Sequence, residues 1–222
     1  MEIRKLTAQE IECRVSRINR YDKSSQIVLL LYKDARVDQR LLDEIFGSMN
    51  WKREHQVIGD RLYCTVSVWD ADKGQWISKQ DVGTESNAEP EKGQASDSFK
   101  RACFNFGIGR ELYTAPRVAF YLPNEQMSDK GQPKTSFHVY HIDYRDDAIS
   151  ELVIVDNDKN VVYDMTGVVK GRQLMDAASP RWAGMIGAIK AGTYTIEKCK
   201  TDFFLSSYYE NLLKEILTNE LL

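Results

Sequence analysis

The segment 51–83 constrains the fold of this chain more strongly than any other part of the sequence. Every second residue from Leu62 to Val68 is apolar, and the residues between them are polar or aromatic. This period of two is that of a β-strand with one buried face. Gly-Asp at 59–60 and Ala-Asp-Lys-Gly at 71–74 are typical of tight turns. The pattern therefore predicts three antiparallel strands, at 51–58, around 62–69 and at 75–82.

The next segment, residues 81–110, predicts a helix with two different sides. The apolar side repeats at helical spacing and consists of Ala95, Phe99, Ala102, Cys103 and Phe106. The opposite side consists of Asp97, Lys100, Arg101, Phe104 and Asn105. Gly107 follows the last periodic residue, where helices commonly end on a left-handed glycine. A helix anchored by its apolar side would present two cations and an aromatic ring, which suits a polyanionic ligand.

The start of this helix is expected near Pro90, because proline is favoured in the first helical turn. Ser86 or Asn87 would supply the N-cap, and Glu89 and Glu91 would lie at the positive end of the helix dipole. With the three strands, this helix predicts an α+β fold with an antiparallel β-β-β-α core, in which the helix packs on a three-stranded meander.

Two motifs of this region resemble those of a known family. The run DVG, a short spacer and a helix ending SFKRACFNFG resemble the Rad-fifty-two-type single-strand annealing proteins, including their phage Sak-like relatives. In that family a hairpin strand ends in DVGYG, and the following helix ends in a DGLKRALRSFG-like sequence. Upstream, ARVDQRLLDEIFGSMNW resembles a family helix with an RV start and an FG-x-x-x-W-like finish. The resemblance covers roughly residues 8–115, about half of the chain.

The resemblance implies particular DNA-contacting residues. Lys100 and Arg101 would clamp the DNA backbone, and Arg36 stands at the place of a family arginine with the same role. Position alone adds Lys52, Tyr63 and Arg110. Two residues depart from the family pattern: Phe104 stands where a third cation is usual, and Ser48 stands where an aromatic residue is common. Tyr63 and Trp69 either line a groove with Lys100 and Arg101, where bases could stack, or cover a second layer of core.

Before the meander, the sequence predicts a helix, a strand and a second helix. Thr7 and Glu10 have capping-box spacing and predict a helix with Ile11, Val15 and Ile18 on one side. Arg14, Arg17 and Arg20 would lie on another side of it as solvated surface. Residues 26–32 predict a short buried strand, and residues 38–46 predict a helix that ends at Gly47.

After the meander, the sequence predicts an additional β-hairpin and C-terminal helices. Strands are expected at 136–144, 152–156 and 161–165, with a turn at 156–160. His138 and His141 would face opposite sides of their strand with no acidic or thiol group nearby, so no metal site is expected. Residues 166–180 have the composition of a linker, and helices are expected at 180–191 and 200–222. The expected domains are an annealing domain at 1–165 and a linker with a small helical module at 166–222.

Composition limits the class of protein. No apolar run approaches the ~18 residues of a membrane helix, and the first residues lack the apolar stretch of a secretory signal. The four cysteines form no CxxC pair and are expected to be reduced and buried in a cytosolic protein. The net charge is −3, and residues 140–222 hold 9 Lys and Arg against 13 Asp and Glu. Binding to phosphates would therefore depend on a local groove and not on a basic protein as a whole.

The resemblance implies an ATP-independent protein that binds single-stranded DNA, anneals complementary strands and supports recombination and repair. The chain has no GxxxxGK[ST] motif, so no cofactor is expected. The implied partners are single-stranded DNA, further copies of the chain in a ring, and a host or phage single-strand binding protein at the C-terminal module; no membrane is expected. The implied location is the cytoplasm of a bacterial host, with a phage or prophage gene.

Two alternatives stay open at this point. Asp81, Glu85, Glu89, Glu91 and Lys92 are similar in layout to the D…ExK residues of restriction-type nucleases, but Glu91 and Lys92 are adjacent and Pro90 indicates a helix start. The second alternative is a protein-interaction or structural role without DNA, which the acidic last third of the chain and its C-terminal helices would fit.

Overall fold

A computed structural model describes residues 3–84 and 90–219 of the chain. Its strands, in chain order, are β1 (Glu12–Arg20), β2 (Ser24–Tyr32), β3 (Trp51–Ile58), β4 (Arg61–Asp70), β5 (Gln75–Val82), β6 (Val118–Pro123), β7 (Phe137–Arg145), β8 (Ala148–Asp156), β9 (Val161–Asp164), β10 (Gln173–Met175) and β11 (Phe203–Leu205). Its helices are α1 (Ala35–Phe46), α2 (Pro90–Phe106), α3 (Trp182–Lys190), α4 (Ile196–Asp202) and α5 (Ser207–Asn219). The predicted α+β class is confirmed.

The chain forms two compact units, each built from separate stretches of sequence. The meander unit comprises Met1–Leu6 and Lys33–Tyr113, and the six-stranded unit comprises Thr7–Tyr32 and Thr114–Leu222. These units are defined by packing. The expected division by function, with a boundary between residues 165 and 166, stays a prediction. No helix in the described ranges combines the length and apolar composition that a membrane crossing needs.

The meander unit contains the predicted β-β-β-α core. Strands β3, β4 and β5 form an antiparallel sheet with β4 in the centre. The predicted alternation along β4 is confirmed, because Cys64, Val66 and Val68 are buried on the face that α2 covers. Helix α2 begins at Pro90 as predicted, and its buried residues include Phe99, Ala102 and Cys103. Gly107 follows α2 with a φ of 113°, a left-handed conformation that glycine adopts without steric cost.

Gly83, the glycine of the DVG run, lies where the chain leaving β5 touches α2. A Cβ atom at this position would come within 2.1 Å of the Gln94 carbonyl oxygen and 2.7 Å of the Ser98 backbone nitrogen. Both atoms belong to the α2 backbone, which cannot move aside as a flexible side chain could. Glycine is therefore required here by close backbone packing.

Helix α1 of the same unit has a buried ion pair at its start. The helix begins after Asp34, whose carboxylate accepts a hydrogen bond from the Arg36 backbone N–H, and ends at Gly47 with a φ of 86°. Lys33 and Asp38 form an ion pair that is almost completely buried. Burial raises the pKa of Asp38 to about 6, against the opposing effect of the Lys33 charge.

The six-stranded unit has the strand order β6-β2-β1-β7-β8-β9. The outermost strands β6 and β9 approach each other, so the sheet curls and encloses its inner face. That face is filled by buried apolar side chains of β2, β6, β7 and β8. They include Ile27, Leu29, Phe120, Val139, Leu152 and Ile154. The predicted strands near 26–32, 136–144, 152–156 and 161–165 are confirmed with small shifts of their ends.

The predicted helix after Thr7 is wrong. The capping box forms, but it caps only a short 3-10 helix at Ala8–Glu10, after which residues 12–20 become strand β1. Strand β1 pairs along its length with β2, and its β-branched residues Val15 and Ile18 lie opposite Leu29 and Ile27. Pairing with a strand that is itself in the core outweighs a local helix signal.

The C-terminal part of this unit contains three helices and a small sheet. Residues 166–180, expected to be a linker, include buried Val169 and Met175 and strand β10, which pairs in parallel with β11. Strand β11 separates α4 from α5 within the stretch 200–219, where helical spacing was predicted, so the segment contains short helices. Arg172 joins these segments by donating hydrogen bonds to the carbonyl oxygens of Val168 and Lys200, each at 2.5 Å.

Candidate nucleic-acid interface

The exposed side of α2 and the turn after it carry cations and aromatic rings, which we call the α2 patch. Its members are Lys100, Arg101, Phe104, Arg110 and Tyr113. The rings of Phe104 and Tyr113 lie 4.7 Å apart between centroids, and Tyr113 is 74% exposed. The Arg110 guanidinium carbon lies 5.6 Å from the Phe104 ring centre. Exposed rings beside cations can stack on bases while the cations contact phosphates.

Arg110 has a defined place at the C-terminal end of α2. Its Nε donates to the Phe104 carbonyl oxygen and its Nη2 to the Asn105 carbonyl oxygen, each at 2.9 Å. The Phe104 carbonyl oxygen also accepts from the Gly107 backbone N–H at 2.9 Å, and the Asn105 carbonyl oxygen from Lys79 Nζ at 2.6 Å. Positive charge at a helix C-terminus interacts favourably with the helix dipole. Arg110 therefore stabilises the C-terminal end of α2, and its guanidinium group lies over the Phe104 ring.

Arg101 is oriented by the aspartate of the DVG run. Its Nε lies 3.2 Å from Asp81 Oδ1, and its side chain is 44% exposed. Asp81 also accepts a hydrogen bond from the Val82 backbone N–H at 2.8 Å. The carboxylate fixes Arg101 over the edge of β5 and partly neutralises it, so phosphate binding would compete with this contact.

Lys100 lies beside the first turn of α1. Within residues 3–84 and 90–219 it has no hydrogen-bond or ion-pair partner, and its charge lowers the pKa of Asp34 and Asp38. The pKa of Asp34 is lowered chiefly by its hydrogen bond with Arg36, whose side chain is 84% exposed and pairs at 2.8 Å. The structure therefore brings Lys100, Arg36 and Asp34 together, which the sequence could not show.

The groove expected between Tyr63, Trp69 and the two α2 cations does not form within the meander unit. Residues 64, 66 and 68 of β4 face α2, so Tyr63 and Trp69 face the opposite side of the sheet. On that open face Trp69 and Trp76 are 39% and 41% exposed, with ring centroids 5.5 Å apart. Lys52 lies there too, with its Nζ 5.1 Å from the Trp76 ring and 3.5 Å from Glu54. Tyr63 is half-buried on this face.

Two exposed aromatic residues were missed by the sequence reasoning. Trp76 could have been found, because the alternation of Trp76, Ser78 and Gln80 with buried-side residues along β5 places it on the open face with Trp69. Tyr113 carries no such signal, because it lies in a short 3-10 helix at Arg110–Thr114 and meets Phe104 only through the turn after α2.

The residues weighed for a nuclease do not assemble in the described structure. Asp81 is bound to Arg101, and Glu91 lies in the first turn of α2, where a strand would be needed for an ExK motif. Glu85 and Glu89, like the expected N-cap residues Ser86 and Asn87, lie outside the described residues.

One trio of metal-ligand residue types occurs in the described part of the chain, against the expectation that no acidic group lies near His141. Ligand atoms of His141, Asp143 and Glu151 lie within 4.8 Å of one another. A bulge beside His141 re-aims the strand, and Glu151 comes from the neighbouring strand. His141 Nε2 lies 2.9 Å from Glu151, and Lys170, Arg172 and Lys200 line the same cavity of about 360 Å³. Three cations around the trio disfavour a bound metal ion.

Comparison with known proteins finds similarity to a protein named for single-stranded DNA binding. The chain is similar to the single-stranded DNA-binding protein DdrA of Deinococcus radiodurans, with 33% identity over 95 residues. The similarity covers 42% of this chain and 44% of the relative, so the chain matches less than half of that protein's length. No family model matches the chain.

Proposed function

We propose that this chain binds single-stranded DNA and anneals complementary strands without hydrolysing ATP, in recombination or repair. The observation that carries the proposal is the α2 patch, in which three cations, the half-buried ring of Phe104 and the exposed ring of Tyr113 are held by a helix anchored in the core and by the turn after it. The similarity to DdrA, which is named for single-stranded DNA binding, supports the ligand class. The Rad-fifty-two-type resemblance of the DVG and KRACFNFG motifs supports the annealing step.

The mechanism is physical and non-enzymatic. Lys100 and Arg101 hold the sugar–phosphate backbone, with Arg36 beside them, while base edges stay exposed to a complementary strand. Base pairing then supplies the sequence specificity and most of the driving free energy. Phe104 and Tyr113 add stacking surface where the family pattern has a cation, so binding should depend less on salt than in a protein with three cations.

Assembly into a ring would explain how a chain with net charge −3 holds DNA. Weak sites on neighbouring copies would form a continuous track, and multivalency would raise the overall affinity without new contacts. The proposal includes a cytoplasmic location in a bacterial host, a phage or prophage gene, and a single-strand binding protein as partner of residues 166–222.

The test is a titration of labelled single-stranded DNA at several salt concentrations. Lys100→Ala with Arg101→Ala should weaken binding and reduce the steepness of the salt dependence by about 1.4, since each phosphate contact contributes roughly 0.7. Arg40→Ala with Arg61→Ala removes two exposed charges of the same unit and serves as the control. A folded Lys100/Arg101 variant that binds like the control would refute the site.

The annealing step needs a separate measurement. The wild-type protein should accelerate pairing of two complementary oligonucleotides in the absence of ATP, as followed by fluorescence of a labelled strand. Light scattering in the same buffer reports the oligomeric state. A monomer that does not bind oligonucleotides would favour the protein-interaction role, and cleavage of labelled DNA with magnesium or manganese would favour a nuclease.

A further inference from the structure

The run Arg14, Arg17 and Arg20 is absent from the proposed α2 site and lies in the other unit. Its three-residue spacing would put Arg14 and Arg17 on opposite faces of a regular strand. Strand β1 has a bulge between Val15 and Arg17, so that Arg14 lies opposite Leu30 and Arg17 opposite Val28. The extra residue Ser16 is held by a hydrogen bond from its hydroxyl to the Val28 carbonyl oxygen at 3.2 Å. The bulge therefore returns both arginines to one face.

That face is the outer side of the curled sheet. The residues opposite Val15 and Ile18 are Leu29 and Ile27, which are buried, whereas Leu30, opposite Arg14, is 43% exposed. In the described ranges neither Arg14 nor Arg17 has an ion-pair or hydrogen-bond partner. Two cations thus lie side by side without an ion-pair partner in the described ranges, and the carboxylate of Glu12 on the same face accepts a hydrogen bond from Tyr32.

Tyrosines accompany the two arginines on the same face. Arg14 lies 5.8 Å from the ring centre of Tyr32, whose hydroxyl donates to Glu12 at 2.6 Å. Tyr121 of β6 is 60% exposed, and its ring centroid lies 6.0 Å from that of Tyr21, which is 53% exposed.

A polar row holds Tyr121 in place across three strands. Gln26 Nε2 donates to the Tyr121 hydroxyl at 3.2 Å, and Asn19 Nδ2 donates to Gln26 Oε1 at 3.1 Å. We call Arg14, Arg17, Tyr21, Tyr32 and Tyr121 the arginine–tyrosine face. From Tyr32 to Gln26 it extends over roughly 20 Å of strand at about 3.3 Å per residue, which is enough for several nucleotides.

We propose that the arginine–tyrosine face is a second binding surface for single-stranded nucleic acid. Arg14 and Arg17 contact phosphates, and the exposed rings of Tyr121 and Tyr21 stack on bases. An acidic protein segment would satisfy the arginines but would not use two exposed rings beside them. The proposal rests on the proposed function for its ligand class, although the surface and the unit are different. In annealing, such a surface would hold a second stretch of DNA.

The first test compares three folded proteins in titrations with labelled oligo(dT) over a series of salt concentrations. Arg14→Ala with Arg17→Ala should weaken binding about tenfold and reduce the steepness of the salt dependence by about 1.4. Arg145→Ala with Lys198→Ala removes two exposed charges of the same unit and should leave both quantities unchanged. Circular dichroism establishes that each variant is folded.

The second test separates stacking from phosphate contact. Tyr121→Ala should weaken binding to oligo(dT) roughly 5- to 100-fold but leave binding to an abasic oligonucleotide of the same length unchanged, because only bases stack. Tyr121→Phe keeps the ring and should bind like wild type. Ultraviolet crosslinking with iododeoxyuridine-substituted DNA should label Tyr121 or Tyr21.

The outcomes distinguish this proposal from the proposed function. If Lys100→Ala with Arg101→Ala weakens binding but the Arg14/Arg17 variant behaves like its control, the second surface is refuted and the α2 site stands. If wild-type protein does not bind single strands, both proposals fail. If the Arg14/Arg17 variant changes only the molecular mass seen by light scattering, the face joins copies of the chain and the proposal is wrong.

Discussion

The two units of this protein use their sheets differently. In the meander unit, three strands leave one face under α2 and the other face exposed, with Trp69 and Trp76 on the exposed side. In the six-stranded unit, the outer strands β6 and β9 come together and the inner face is filled by apolar side chains. An enclosed sheet has only its outer side for ligands, whereas the open meander can present a helix patch and a strand face.

The difference also affects what holds each unit together. A small open sheet encloses little core, so the meander unit depends on close attachment of its two helices. The backbone of α2 touches Gly83. The buried pair of Lys33 and Asp38 fixes the start of α1, where burial and the Asp38 charge raise the pKa of Cys103 on α2. The six-stranded unit buries more within its curled sheet and ties its C-terminal segments through the hydrogen bonds of Arg172. Single substitutions should therefore lower the free energy of unfolding more where the helices of the meander unit are attached than in the C-terminal segments of the six-stranded unit.

The largest effect is expected for Lys33→Met. The substitution keeps most of the side-chain volume but leaves the Asp38 carboxylate buried without a charged partner, which should lower the free energy of unfolding by about 3–5 kcal/mol at neutral pH. Denaturant unfolding of this variant against Lys73→Met, an exposed lysine of the same unit, measures the effect. A loss of less than about 1 kcal/mol would mean that Lys33 does not compensate the buried carboxylate.

Removing the Asp38 carboxyl group by Asp38→Asn should alter the pH dependence of stability. Since burial raises the pKa of Asp38 to about 6, folding takes up a proton between the ordinary carboxyl value and pH 6. The contribution of Asp38 to the free energy of unfolding is therefore greatest below about pH 4. It decreases by about 2 kcal/mol as the pH rises through 6. Asp38→Asn should lack this slope, as measured by unfolding at a series of pH values.

An intermediate effect is expected for Gly83→Ala. The added Cβ would push the end of β5 away from α2, because the contacting atoms are backbone. Overpacking costs about 1–3 kcal/mol, and a backbone oxygen 2.1 Å away places this case near the upper end, at about 3 kcal/mol. Gly184→Ala is the control, since a Cβ there meets nothing within 4 Å and the residue has no positive φ. A loss at Gly83 no larger than that at Gly184 would show that α2 does not need close backbone contact.

A smaller effect is expected for Arg172→Ala in the six-stranded unit. The variant removes charged hydrogen bonds to the carbonyls of Val168 and Lys200, and solvent can replace part of them, so the cost should be about 2 kcal/mol. Arg145→Ala is the matched control. Hydrogen exchange should show that the loss is local to residues 166–205. A cost above that of Lys33→Met would reverse the comparison between the units.

Local signals in the sequence determined much of the meander unit. The period of two along β4, the turn residues and the apolar spacing of α2 predicted three strands and a packed helix, and Gly47 and Gly107 marked helix ends. These features follow from neighbours a few residues apart, so the sequence contains them directly. The cations Lys100 and Arg101 were likewise placed on the exposed side of α2 by spacing alone.

Tertiary structure decided what local patterns left ambiguous. The run 12–20 has a capping signal and helical spacing, yet it is a strand because β2 pairs with it and places the half-buried Val15 and Ile18 opposite the buried Leu29 and Ile27. Tyr63 and Lys100 share one unit but lie on opposite faces of a sheet, and Asp38 of α1 lies close enough to Cys103 of α2 that burial and the Asp38 charge together raise the pKa of that thiol. Which partner strand, face or charge a residue meets depends on contacts between distant parts of the chain, whose burial free energy outweighs local propensity.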